Sequence, residues 1–554
     1  MKRTIPLLIS LIIFWISTAA LFNLSCNKND GHFIYVLDDP YIHLTLARNL
    51  ISSGTFGIRA GEFSATSSSP FWTLLISFIF SFTGVNVYVP FILNIIFASL
   101  IIIILWYIFD KNKFSIIRNT FWLLSVIFAV PLIPLCFTGM EHLFHSLLYL
   151  LFFLWVCSDL TKDDNNSNEP TYPINKGEYY KQIRHAFSFY ILVVILSSTR
   201  YESLFMIIFC SILYFIKKRY TKSYLILFFG ALPVVAFGIF SLNNGGMFFP
   251  NSILLKGSFP HVITLKEIII KFIYLPLYNL FISPHILVLL IFIIINLLIK
   301  AKVQPVLKNK FSVGFLILLF VNLIHILFCQ FGWFFRYESY LLLTGIAFFA
   351  LYLKEINLNE LYRMYCSSKF SKLIMFVLLL LLSSPFLYRG MLAIQKTPTS
   401  SGNIYQQQFQ ITKFIKTYYN TSNVALNDIG MITFMTNANI LDIWGLADIP
   451  SLKAKLADNY NTEFIGKRLK EKDIEIAIVF DFWFSGKRKF PSDWLKVAQW
   501  SIPDNYICAS DNVSFYARDT IAAIRMVVNL RKFSNQLNKN VKETLLFTNI
   551  SDSK

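Results

Sequence analysis

Long apolar runs punctuated by short basic clusters fill most of the first 388 residues of this chain. The stretch Phe91–Phe109 carries no charge at all. Runs near 20 residues have the length to cross about 30 Å of hydrocarbon as helices. The pattern predicts about eleven spans. They fall near 5–23, 88–109, 119–136, 141–158, 186–199, 202–216, 222–241, 284–299, 311–329, 339–353 and 373–388. Phe71–Phe82 stops short before Gly84 and reads as an interfacial or re-entrant helix. Residues 264–283, which carry Lys266, Glu267 and Lys271, read the same way.

Basic loops orient the spans, because cytoplasmic loops are enriched in Lys and Arg. Lys2-Arg3 put the N-terminus inside, and Lys111/Lys113/Arg118, Lys217–Arg219, Lys300–Lys310 and Lys354/Arg363/Lys369/Lys372 follow suit. The Asn/Asp/Lys-rich stretch 159–185 reads as a further cytoplasmic loop. Asp38, Asp39 and the tail then share the outer face. Met1–Phe22 begins like a signal peptide, but its apolar run is long and lacks a convincing cleavage site, which favours an uncleaved first span.

The tail changes character. Tyr405–Tyr418 has helical periodicity, while Asn423–Leu426 and Glu475–Phe480 read as buried strands, with Asp428-Ile429-Gly430 a turn after the first. The expected fold is thus a polytopic α-helical membrane protein with juxtamembrane helices plus a C-terminal extracytoplasmic α/β domain. The division is 1–388, with a first outer loop at 24–87, and 389–554.

Composition sharpens this picture. Hydrophobic residues make up 55% of the 554 and mean hydropathy is +0.56, too apolar for one soluble domain. The formal charge of +19 sits in loops beside spans, which points to lipid headgroups and not to nucleic acid. The seven cysteines are scattered without a Cys-x-x-Cys and read as small buried hydrophobes. No phosphate-binding glycine loop or metal-spaced histidine pair occurs.

Candidate chemistry centres on Asp38-Asp39-Pro40. An aspartate caps a helix well and proline suits the first helical position, so structure alone accounts for one carboxylate. The helix 40–51 would bury Ile42, Leu46, Ala47 and Leu50 and show Thr45, Arg48 and Asn49. Asp39 is then the natural cap and Asp38 the free carboxylate, a candidate base for an acceptor hydroxyl. The loop 61–72 adds hydroxyls and Glu62, and suits either a polyol acceptor or an ordinary flexible loop. Arg200 and Arg336, at outer span ends, have the planar fork that holds phosphate, or simply snorkel to the interface. Lys256 is a further anion partner, and Glu141 and Glu202 would pair with or orient an arginine.

Asp38-Asp39-Pro40-Tyr41, Arg48-Asn49-Leu50, Ser53-Gly54-x-x-Gly57, Gly61-Glu62 and Thr66–Trp72 resemble the first outer loop of C-type membrane glycosyltransferases. The resemblance is to bacterial relatives of the mycobacterial terminal arabinofuranosyltransferases and, more distantly, to protein O-mannosyltransferases and the lipid A aminoarabinose transferase. Thr138-Gly139-Met140-Glu141, Phe249-Pro250-Asn251-Ser252, Arg336-Tyr337 and Asn427-Asp428-Ile429-Gly430 follow in the family's order. Pro40, His43–Leu46 and Asn243-Asn244-Gly245 depart from its usual residues, which bears on the sugar more than on the reaction class.

The resemblance implies an inverting glycosyltransferase of the bacterial inner membrane with an extracytoplasmic active site. Its donor would be a polyprenyl-phosphate sugar and its acceptor a cell-envelope glycan, lipid or protein. Asp38 and Asp39 would be catalytic. Tyr41, Arg48, Glu62, Glu141, Arg200, Glu202, Asn251, Lys256, Arg336 and Tyr337 would hold substrate. The sequence requires no cofactor, and a divalent metal is compatible with the carboxylates. The alternative is a lipid-linked glycan flippase using the same charges as a pathway.

Overall fold

A computed structural model describes residues 2–162, 176–256, 264–302, 305–356 and 368–547. Part of the expected loop 159–185, together with Arg363 and Cys366, lies outside these residues.

The apolar runs form helices. The first are α1 (Ile5–Lys28), α2 (Asp39–Ser53), α3 (Pro70–Thr83), α4 (Val89–Lys111), α5 (Ile116–Ala129), α6 (Leu132–Cys136) and α7 (His142–Leu160). Among the described residues, 6 helices are long and apolar enough to cross a membrane, or up to 7 when the bent pair Leu265–Ile282 and Pro284–Lys300 counts as one span. The chain is a multi-pass membrane protein by this measure. Other expected spans map to shorter helices: Ile116–Ala129, Arg184–Thr199 and Ser203–Ile216. The run at 119–136 divides between α5 and α6 around Pro131, because proline cannot donate the helical hydrogen bond. α3, read as non-spanning, is a 14-residue helix.

The expected last span and the tail's first helix are one object. Lys369–Ile404 runs on through a π-turn at Tyr405–Phe409 into Gln410–Tyr418. Its polar middle is buried against the end of α1, where Asn29 donates to Ser401 Oγ (2.7 Å) and Ser401 Oγ donates to the Ile34 carbonyl (2.7 Å). The sheet domain is thus tied to the C-terminal end of α1.

That domain carries a mixed six-stranded sheet, β1 (Asn423–Leu426), β2 (Asn439–Asp442), β3 (Ile476–Val479), β4 (Leu495–Ser501), β5 (Asn512–Ala517) and β6 (Lys542–Leu545), in the order β2-β1-β3-β5-β4-β6. β1 runs parallel to β2 and β3, and the β5-β4-β6 half is antiparallel. Alternation along a strand sends successive side chains to opposite faces. Ala425 and Ala477 pack with Leu441 and Leu469 on one face. Val424, Leu426, Ile476 and Ile478 pack on the other, together with Ile42 and Leu46 of α2 and Phe56 and Ile58 of the following loop. The segment after α1 and the tail therefore share one hydrophobic core. This sharing positions the aspartates.

Candidate functional site

α2 begins at Asp39 with Asp38 in the N-cap position, yet neither side chain caps it. Asp38 reaches across to the tail, where its Oδ2 accepts from the Gly430 amide (2.5 Å) and its Oδ1 from the Met431 amide (2.8 Å). These are orphan amides at the start of the helix Gly430–Met435, where a carboxylate is favoured. Gly430 has to be glycine, because a Cβ there would collide with the Asp38 backbone carbonyl and carboxylate. Asp38 also shares a hydrogen bond with Asp428, and burial pushes its carboxyl above the ordinary range despite the amide hydrogen bonds. Asp428 in turn accepts from Gln408 Nε2 (2.8 Å).

The expectation that Asp38 is free and Asp39 the cap is thus corrected. Asp38 is 7% exposed and committed to the tail, whereas the Asp39 side chain is 28% exposed. A cap reads only its own helix, and the sequence does not reveal that a second helix start, nearly 400 residues on, takes the carboxylate.

Asp39 pairs with Arg336, Oδ2 to Nη2 at 2.6 Å. Arg336 is 1% exposed. Its Nη2 also donates to the Tyr337 hydroxyl (3.1 Å), while Nε and Nη1 are buried and have no hydrogen-bond partner among the described residues. Three residues in left-handed conformation, Trp333, Phe334 and Phe335, lead into this arginine. Arg389 ties their turn by donating to the Phe335 carbonyl (2.6 Å) while pairing with Glu338.

Arg200 is built differently. Its Nη1 meets Glu141 Oε1 at 2.6 Å, and Nη2 and Nε fork onto Glu202 at 2.5 and 3.1 Å. Nη1 also lies 2.9 Å from His142 Nε2, which must accept from a guanidinium, so the ring proton sits on Nδ1. The Tyr337 ring lies under both guanidinium groups, 5.0 Å from Arg336 and 5.8 Å from Arg200. Gly139, left-handed in the turn before Glu141, packs where a Cβ would strike the Tyr35 ring and Pro40. This is the reason that turn needs glycine.

His43, one helical turn after Asp39, joins the two clusters. Its Nδ1 lies 2.9 Å from Thr73 Oγ1 and 3.3 Å from Ser67 Oγ, and its Nε2 faces Glu141 Oε2 at 3.9 Å. Burial holds His43 below its ordinary pKa, against the attraction of Glu141. The hydroxyl-rich loop thus folds back onto the aspartate helix. His43, His142 and Gln408 were missed from sequence; lone polar residues in apolar or helical runs carry no signal until their neighbours are known.

Several expected substrate residues have partners within the protein. Tyr41 is fully buried, with its hydroxyl accepting from the Tyr35 amide (3.3 Å). Arg48 donates to the carbonyls of Phe434 (2.7 Å) and Thr433 (3.1 Å), at the C-terminal end of the helix that Asp38 caps. Asn251 donates to the Leu446 carbonyl (3.0 Å) and stitches the tail to the core. Glu62 is exposed and pairs with Arg59 and with Lys472 of the tail, both at 3.5 Å. The Lys256 side chain lies outside the described residues. What remains together is Asp39, Arg336, Tyr337, Arg200, Glu141 and Glu202, with Asp38 locking the tail beside them. Among the described residues, no group of three or more His, Cys, Asp or Glu side chains is arranged to hold a metal ion.

Residues 402–516 match the family model described as "Domain of unknown function (DUF8728)". No curated protein matches the chain. Among solved structures, the fold is similar to the archaeal oligosaccharyltransferase AglB from Archaeoglobus fulgidus, solved in complex with an inhibitory peptide and a dolichol-phosphate. The identity is 10%, the TM-score 0.43, and the match covers 93% of this chain and 74% of that one.

Proposed function

We propose that this protein is an inverting glycosyltransferase that takes a sugar from a polyprenyl-phosphate donor at the outer membrane face. The observation that carries the reading is Arg336. A buried guanidinium with two nitrogens unpartnered among the described residues calls for an acceptor. Phosphate oxygens suit its planar fork. The partly exposed Asp39 stands beside it, able to take the proton of an acceptor hydroxyl. The resemblance of the first outer loop to C-type glycosyltransferases supports the same reading.

The acceptor oxygen attacks the anomeric carbon from the face opposite the phosphate. The carbon–oxygen bond to phosphate breaks, polyprenyl phosphate leaves with the electron pair, and the acceptor proton passes to Asp39. Arg336 holds the phosphate throughout and stabilises the charge that grows on it. Asp38 acts as a positioning residue, fixing the tail over the site. The tail forms one wall of the acceptor groove. An envelope glycan, lipid or protein is the acceptor class, and residues 1–388 and 389–554 are the transferase core and its cover.

The test uses the full chain in detergent. Undecaprenyl phosphate binding is measured directly, and the envelope glycans of a deletion strain carrying each variant are weighed by mass spectrometry. Asp39→Asn should bind undecaprenyl phosphate and restore no glycan, whereas Arg336→Lys should bind it poorly. A glycan restored in full by Asp39→Asn would overturn the base assignment. Unchanged binding in Arg336→Lys would overturn the phosphate assignment.

A further inference from the structure

β1, β2 and β3 run the same way, so their C-terminal ends share one edge of the sheet. Two of these ends reach back to the N-terminal part of the chain. The turn after β1 supplies the Gly430 and Met431 amides that hold Asp38, and the turn after β2 supplies the Leu446 carbonyl that accepts from Asn251. The third end differs. β3 runs into Phe480-Asp481-Phe482-Trp483, where the Phe482 side chain is left 55% exposed. The Phe480 amide donates to Asn427 Oδ1 (3.0 Å), so this segment starts beside the Asp428 turn of the candidate site. Ligands of open α/β sheets bind outside the carboxyl ends of their strands.

Aromatic rings gather at this end. Trp483 tilts over Trp444, which follows β2, with 4.3 Å between centroids and 38° between planes. Phe482 stands across Trp483 at 5.9 Å and 75°. Both tryptophans are half-buried. A single exposed hydrophobic residue needs no explanation, but a corner of three rings at a strand end does. The charges beside it are uneven. Asp481 is already taken by Lys496 Nζ (2.7 Å), Ser514 Oγ (2.8 Å) and the Tyr516 hydroxyl (2.8 Å). Arg488 is half-buried near Lys455, which lies over the Trp444 ring, and near Tyr460. No carboxylate among the described residues pairs with Arg488, whereas its neighbour Lys487 meets Asp458 at 2.7 Å.

Flat rings beside an accessible guanidinium select a class of ligand. A sugar ring has C–H bonds on one face, which lie on an aromatic ring, and oxygens around its rim, which accept from arginine. An acyl chain gives Arg488 nothing. A peptide strand would add to the open edge at β2 or β6 and not to the strand ends. We propose that Phe482 and Trp483, with Arg488 beside them, form a subsite for an acidic saccharide, and that the acceptor is a glycan bearing carboxylate or phosphate groups. The inference rests on the glycosyl-transfer reading only in making this saccharide the acceptor.

Binding to the full chain tests it, in a detergent whose headgroup is not a sugar. The probe is the set of oligosaccharides released from the envelope polysaccharide of the deletion strain, titrated by calorimetry. Phe482→Ala should weaken binding about 3- to 10-fold, the effect of losing one aromatic contact. Arg488→Gln should weaken it about 10- to 100-fold. Added salt should weaken the unaltered protein more than Arg488→Gln. Melting temperature and undecaprenyl phosphate binding check that each variant is folded. Carboxyl reduction and dephosphorylation of the oligosaccharides identify the anion, since removing the right one should abolish the preference for arginine at 488. Absent binding, equal binding in the folded variants, or binding indifferent to both chemical treatments overturns the proposal. Turnover is not needed for this readout, so a glycan restored by Asp39→Asn would remove the base assignment and leave the saccharide subsite standing.

Discussion

Two buried arginines flank the Tyr337 ring, and they differ in how fully they are used. Arg200 is saturated, with Glu141 on one nitrogen and Glu202 forked across the other two. Arg336 meets one carboxylate and one hydroxyl through a single nitrogen, and its Nε and Nη1 have no hydrogen-bond partner among the described residues. A guanidinium surrounded by two carboxylates has little left for a phosphate and serves to hold elements together. One with buried nitrogens unpartnered among the described residues suits the phosphate of the proposed donor. Sequence position at an outer span end nominates both equally; only their partners separate a structural arginine from a binding one.

The largest effect should fall on the carboxylate beside the open arginine. Asp39→Asn keeps shape but loses the basicity needed to take a proton. Sugar transfer should drop by about 10²–10⁴-fold, read as restored glycan per folded protein. Asp38→Asn should fall well short of that, and equal losses in both would erase the distinction drawn between the two aspartates.

Breaking the saturated cluster should harm the fold first. Arg200→Gln leaves Glu141 and Glu202 without their cation, and removing one partner of a buried pair costs about 3–5 kcal/mol. Lowered abundance and melting temperature in detergent are the expected readouts. A stable Arg200→Gln with weakened undecaprenyl phosphate binding would reverse the roles of the two arginines.

Arg336→Lys sharpens the comparison from the other side. Lysine keeps the charge near Asp39 and loses the fork. Undecaprenyl phosphate affinity should fall about 10- to 100-fold, since a hydrogen bond to a charged group contributes about 1.5–3 kcal/mol. Melting should change less than in Arg200→Gln.

The smallest effect is a pH slope. Burial raises the Asp38 carboxyl above its ordinary value. The folded state then binds this proton more tightly than the unfolded state, so the group stabilises below its ordinary pKa, and that contribution is lost as pH rises through the raised value. Melting temperature followed across mildly acidic pH should decline with this sign, and Asp38→Asn should flatten the curve. An unchanged slope would remove Asp38 from the account.

Local patterns were legible in the chain. Asn423–Leu426 is a strand as its apolar run predicts, and the aspartate helix begins and ends within two residues of the expected 40–51. Both depend on side-chain periodicity and capping chemistry, which are properties of neighbouring residues. The order of motifs brought Asp39, Glu141, Arg336 and Tyr337 forward as candidates, position at a span end added Arg200, and the structure gathers these five.

What depended on distant partners was not legible. Thr45 and Asn49 belong to the face expected to be open, yet both are buried. Thr45 meets Thr433 of the tail at 3.1 Å, and Asn49 donates to the Gly57 carbonyl at 2.8 Å. Arg48 serves the far end of the same tail helix whose start Asp38 holds. Spacing along the chain therefore determined that this is a many-helix membrane protein with an α/β tail. Tertiary packing alone decided which carboxylate meets the tail and which meets Arg336, and which arginine has buried nitrogens without a partner among the described residues. A hydrogen bond has one partner at one distance, and the chain's order does not reveal which residue folding brings there.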